Sequence, residues 1–153
     1  GYKAIGTRSQ LSIRMTVLAE VYLRNRQWDQ AAQVLKQVED FIEETEERFF
    51  QAEAIRLKGE LLTHHRNLKD AEACYLSALQ VARAQKANTL ELRTATSLAR
   101  LWEGQGRNAE AYQILAEVYN WFTEGFDTLD LKEARELLVK LAQKIEKSSI
   151  SST

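Results

Sequence analysis

Three segments spaced forty residues apart carry one pattern: WDQAAQVLKQV from Trp28, LKDAEACYLSA from Leu68 and NAEAYQILAEV from Asn108. Stacking them aligns Ala31, Ala71 and Ala111, then Leu35, Tyr75 and Leu115, then Val38, Ala78 and Val118. Upstream, the same period aligns Met15, Ile55 and Ala95, then Ala19, Gly59 and Ala99, then Tyr22, Leu62 and Trp102. Within a copy the apolar residues recur at i, i+4 and i+7, over Met15, Ala19 and Tyr22 and again over Ala31, Leu35 and Val38, which is the helical period. Each copy therefore predicts a hairpin of two amphipathic helices. The small columns let antiparallel backbones approach, and the large columns fill the space beside each contact. A strict period of this length implies stacked units whose core runs from one to the next.

Zero prolines and 6 glycines argue against an all-β sandwich or barrel, whose many turns consume both residues. The pattern predicts an all-α fold with helices at about 9–26, 28–46, 49–65, 68–86, 89–104, 107–123 and 128–147. Asn67 and the Gly104 to Gly106 pair are expected as helix stops, and Asp127 or Thr128 as the N-cap of the last helix, with Asp130 in its first turn. Leu131, Ala134, Leu138, Leu141 and Ile145 are its expected apolar stripe, and its polar flanks suit a cap for the stack. One domain over 1–147 is expected, with repeats at about 9–47, 49–87 and 89–125, a cap at 128–147 and a flexible tail at 148–153. The first helix carries Ile13, Val17, Val21 and Leu23 beyond its core column, so it asks for neighbours on more than one side. Either preceding repeats of a longer array cover that surface, or residues 1–8 fold back over it.

The columns resemble the tetratricopeptide repeat. Ala19, Gly59 and Ala99 match its first small residue, Tyr22, Leu62 and Trp102 the large residue that follows, Ala31, Ala71 and Ala111 its alanine, and Val38, Ala78 and Val118 its second small position. The family's unit is about 34 residues, so these helices are longer. Lys58 stands where Leu18 and Leu98 stand in the other copies, Asn108 where Trp28 and Leu68 stand, and the proline that often follows the second helix is absent. The resemblance implies a right-handed superhelix of three such hairpins plus the C-terminal capping helix. More specifically, ELRTATSLARLWEGQGRNAEAYQILAEVY at 91–119 and WFTEGFDTLDLKEARELL at 121–138 resemble the terminal repeat region of large bacterial signalling proteins. Those proteins join a nucleotide-binding ATPase domain, and in some cases a cyclase, kinase or DNA-binding output domain, to helical repeats that sense or scaffold. No catalytic residue carries over. Physically, WFTEGFDT reads as a sharp joint in which Trp121 and Phe122 end a helix in the core, Gly125 supplies the stop, Phe126 pins the loop and Asp127 caps the next helix.

Charge narrows the partners. A net charge of -1 and a pI near 6.2 give no basic surface for nucleic acid. No apolar run approaches the roughly 20 residues that span a bilayer, and no secretory leader is recognisable, so neither nucleic acid nor membrane is expected as a partner. One cysteine, Cys74, excludes an internal disulfide framework and fits a reducing, cytoplasmic setting.

Chemistry is sparse in the sequence. His64 and His65 are adjacent on a helix and diverge by about 100°, which prevents both from gripping one ion. No phosphate loop, HExxH or GxSxG occurs, so no catalysis, cofactor or metal is expected. Cys74, between Ala73 and Tyr75, is read as a packed small residue. The acidic run Glu39, Asp40, Glu43, Glu44, Glu46 and Glu47 is read as a solvated face, and Phe49 with Phe50 as an entry into the next core.

The better candidate for binding is a concave groove lined by non-core positions of the first helices. These are Thr16, Glu20 and Leu23 in the first copy, Arg56, Glu60, Thr63 and His64 in the second, and Arg93, Thr96, Arg100 and Glu103 in the third. The tail clamp of some tetratricopeptide proteins needs Lys and Asn where Thr16 and Glu20 stand, so that ligand is not expected. Three functions are expected from these features. The first is an interaction and sensing module that binds a peptide or partner segment in the groove and transmits it through superhelix pitch. The second is a scaffold that forms a homodimer through the first hairpin. The third is a receptor for a small anion at Arg56, Arg93 and Arg100.

Overall fold

The computed structural model describes residues 2–45, 50–122 and 128–151. They form seven α-helices: α1 (Tyr2–Arg24), α2 (Trp28–Thr45), α3 (Gln51–His64), α4 (Leu68–Ala84), α5 (Asn88–Gly104), α6 (Asn108–Tyr119) and α7 (Leu129–Ser151). No strand occurs among the described residues. Two ends differ from expectation. Residues 2–8 continue α1 instead of folding back, and α7 runs through Ser151, so residues 148–151 of the expected tail are helical. A serine-rich ending with Ile150 still has its backbone hydrogen bonds satisfied along the helix, and no proline interrupts it.

The turns explain how the hairpins close. Arg26 and Gln27 donate to the carbonyls of Leu23 and Tyr22 at 3.2 and 2.8 Å, Arg66 and Asn67 to Thr63 and Leu62 at 3.1 and 3.0 Å, and Gly106 and Arg107 to Glu103 and Trp102 at 3.0 and 2.8 Å. Each is a Schellman closure, and it requires a left-handed residue just past the helix. Arg26, Arg66 and Gly106 take that role with φ of 59°, 65° and 77°. Arg66 therefore provides the stop expected at Asn67. Lys86, just past α4, also lies at positive φ, 56°.

The helices group into two compact units, Gly1–Gln85 and Lys86–Thr153. In the first, α1 pairs with α2, α3 pairs with α4, and α3 also packs on both α1 and α2. Its first core gathers Ala19, Leu23, Ala31, Leu35, Val38, Ile42 and Leu57, with Met15, Tyr22, Trp28 and Leu61 packed against it. Between α3 and α4 the small position is Gly59 and the large one Tyr75, and both are buried. In the second unit α5 pairs with α6, and α7 packs on both. The repeat columns hold in both units: Ala31, Ala71, Ala111, Val38, Ala78 and Val118 are all wholly buried. On α7, Leu131, Ala134 and Leu141 are buried as expected, but Leu137 joins them, while Leu138 and Ile145 are only half-buried.

Trp121 is 57% exposed, not in the core, and Phe122 is half-buried. The joint residues Gly125, Phe126 and Asp127, together with Glu46, Glu47 and Phe49, lie outside the described residues, as does the side chain of Glu44. Phe50 is half-buried, and Glu39, Asp40 and Glu43 are exposed. Thr128 accepts from the Leu131 N–H at 3.4 Å, a long version of the expected cap.

Candidate interaction surface

Most of the polar positions expected to line a groove are occupied from within the chain. In the first unit Thr16, Leu23 and Arg56 are buried, at 4%, 6% and 6% exposure. Arg56 makes a two-pronged bond to Glu53, Nη2 to Oε1 at 2.6 Å and Nε to Oε2 at 3.0 Å, and Nη1 donates to Glu60 at 2.7 Å. Burial opposes its charge, but the bond to Glu53 and the charges of Glu53, Glu60 and Glu20 more than offset that, and its pKa lies above the ordinary value. The pattern Glu53, Arg56, Glu60 is i, i+3, i+7 along one helix face, a signal present in the sequence. Glu20 pairs with Arg24 at 2.9 Å. Thr63 donates to the Gly59 carbonyl at 2.8 Å. Its oxygen also lies 3.3 Å from the Tyr75 hydroxyl, a hydrogen bond in which either oxygen can donate. His64 stacks flat on Trp28 of α2, ring centroids 3.6 Å apart, with His65 edge-on to it.

In the second unit Thr96 is buried and donates to the Leu92 carbonyl. The three charged groove positions of α5, Arg93, Arg100 and Glu103, all meet α7. Arg93 bonds Asp130 at 3.0 Å, Arg100 approaches Glu133 at 3.5 Å, and Glu103 lies 3.4 Å from Lys140 and 3.3 Å from Lys144. Two of these pairs share a separation of 37 residues. Opposite charges at a common offset are legible in sequence only once α7 is known to lie along α5. The sequence reading made α7 a cap and missed this use of its charges. Arg56, Arg93 and Arg100 thus each face a carboxylate of the chain.

Other groups have structural surroundings. Arg107 lies over the Trp102 ring at 4.6 Å and holds Glu110 with two bonds, which keeps that exposed carboxyl below its ordinary range. Burial pushes the Cys74 thiol up, away from the reactive thiolate. Among the described residues no cluster of His, Cys, Asp and Glu could hold a metal, and no helix is long and apolar enough to cross a membrane. An open notch of about 520 Å³ lies between α6 and α7, lined by Tyr112, Ala142, Ile145 and Ile150 with Glu146 and Ser149.

A different surface stands out. Ile13, Val17, Leu18 and Val21 are 40%, 54%, 41% and 44% exposed on α1, on the side away from Ala19 and Leu23. At 100° per residue they fall within one sector of about 140° of the helix, which the exposed Arg14 and Arg24 share. Apolar side chains gathered on one helix face and left in water mark interaction sites more often than scattered ones. Ile13, Val17 and Val21 are legible in the sequence as apolar residues beyond the core column, whereas Leu18 shares a repeat column with Lys58 and Leu98.

No known family model matches the chain, and no curated protein matches it either.

Proposed function

We propose that this chain is a protein-interaction module, non-catalytic in itself, that docks a partner through the outer face of α1. The observation that carries this reading is the exposed apolar sector Ile13, Val17, Leu18 and Val21 on a helix whose opposite side is fully used in a core. The sequence resemblance at 91–138 supports placing such a module in a larger bacterial signalling regulator in the cytoplasm. Peptide binding along the first helices is the weaker alternative. A peptide taking Arg93 and Arg100 has to displace Asp130 and Glu133, so α7 competes with it. An anion at Arg56 faces the same difficulty with Glu53.

A photo-crosslinking residue placed at Val17 tests the reading, with the same residue at exposed Ser77 on α4 as control. A discrete adduct from Val17 alone, lost on Val21→Glu, is expected. Equal or absent labelling at the two sites removes the basis for docking at α1.

A further inference from the structure

The forty-residue period says what kind of partner the α1 face takes, given that it is a docking surface. At that period Val17 aligns with Leu57, Ser97 and Leu137, and Val21 with Leu61, Leu101 and Leu141. On α3, Leu57 is wholly buried in the core built by α1 and α2, and Leu61 packs against the same core. On α7, Leu137 and Leu141 are buried, and the helices that α7 packs on are α5 and α6. In each unit, then, this one column seats a helix on the hairpin that precedes it. On α1 the same column is Val17 and Val21, and both are exposed.

We infer that the outer face of α1 seats a helix hairpin of the same kind, one offering the apolar hollow that Ala19, Leu23, Val38 and Ile42 provide for Leu57. One position sets that hairpin apart. Lys58 of α3 reaches Glu39 of α2 at 3.1 Å, whereas the matching residue of α1 is Leu18, 41% exposed. An apolar residue on the incoming hairpin, where α2 carries Glu39, satisfies Leu18 without stranding a carboxylate against it.

The test is an in-register duplication: residues 1–48 followed directly by residues 9–153, which adds one hairpin ahead of α1 and keeps the period. In the original chain Val17→Glu, at an exposed position, shifts Tm by no more than about 2 °C. In the extended chain the same substitution in the inner copy lowers Tm by about 5 °C or more, and in the outer copy leaves it unchanged. Glu39→Leu in the added hairpin raises Tm further. Equal small effects at both copies overturn the inference. Should that extended chain not fold, residues 1–88 followed directly by residues 9–153 give a second extension that keeps the period. There, too, a Tm loss of about 5 °C or more from Val17→Glu in the inner copy supports the inference, and a loss under about 2 °C overturns it. Sedimentation of the original chain is expected to show a monomer. A dimer dissolved by Val17→Glu assigns the face to a second copy and overturns the hairpin. Because the crosslinking at Val17 needs no hairpin, an adduct there alongside a failed duplication rejects this partner while leaving docking at α1 standing.

Discussion

The ring of Tyr75 occupies the space a β-carbon on residue 59 would need: a methyl group built on Gly59 would stand 2.6 Å from Cε1 and 2.9 Å from Cδ1. The other two copies pair alanine with leucine at these columns, Ala19 with Leu35 and Ala99 with Leu115. Glycine and tyrosine are a compensated exchange, a smaller backbone position matched to a larger side chain. Gly59→Ala gains about 0.5–1 kcal/mol of helix propensity but forces an overpacked contact that costs about 1–3 kcal/mol. The ring cannot swing aside without giving up its bond to Thr63. A net loss of about 1 kcal/mol is expected in urea unfolding. In the Tyr75→Leu background the same substitution becomes stabilising, and a gain from Gly59→Ala alone would show that the contact is looser than described.

Tyr75 also gives the fold an alkaline limit. Burial raises its pKa, the hydrogen bond with Thr63 opposes that, and the value is pushed up to about 12. The folded state therefore holds its proton more tightly than the unfolded state does. That contribution is complete below about pH 10 and is lost as pH rises from about 10 through 12. Tm measured over this window should fall less steeply in Tyr75→Phe than in the parent chain, with absorbance of the tyrosinate as the direct check.

Three turns close on non-glycine residues at positive φ. The left-handed conformation costs a side-chain-bearing residue about 1 kcal/mol. Gly106 shows the relaxed solution at the third hairpin. Arg26→Gly, Arg66→Gly and Lys86→Gly are each expected to raise stability by about 0.5–1 kcal/mol, and Gly106→Ala to lower it by a similar amount. Thermal melts of the four single variants decide the matter, and a destabilised Arg66→Gly would contradict the account directly.

Arg56 and Glu53 form a buried pair, with side chains 8% and 4% exposed. Removing only the arginine leaves Glu53 in the interior without its counter-charge, so Arg56→Met is expected to cost about 3–5 kcal/mol. Replacing both, Arg56→Met with Glu53→Gln, should recover much of that loss. A double-mutant cycle in urea measures the coupling, and additivity would mean that the pair acts independently.

Legibility followed the range of the interaction. Helix positions, the small and large columns and the hairpin turns are fixed by contacts within one copy, and each is visible as periodicity around Ala31, Ala71 and Ala111. Capping geometry was only half legible. Asn67 has the better composition for a left-handed stop, yet Arg66 sits where the hydrogen bonds from Arg66 and Asn67 to Thr63 and Leu62 require it. The binding positions were the least legible. A charge such as Arg93 or Arg100 reads alike whether it faces solvent or a partner helix, and only the packing of α7 on α5 pairs it with Asp130 or Glu133.

By itself, then, the sequence determined an all-helical chain of forty-residue hairpins, because small and large residues at helical spacing leave no other way to bury Ala19, Leu35 and their equivalents. The tertiary structure decided which polar residues are spent internally and which apolar ones are left over. Thr16, Arg56 and Thr96 became interior, and Ile13, Val17, Leu18 and Val21 stayed outside. The physical reason is that burial is a property of neighbours: an exposed valine and a buried one have the same side chain and differ only in whether a second helix stands opposite.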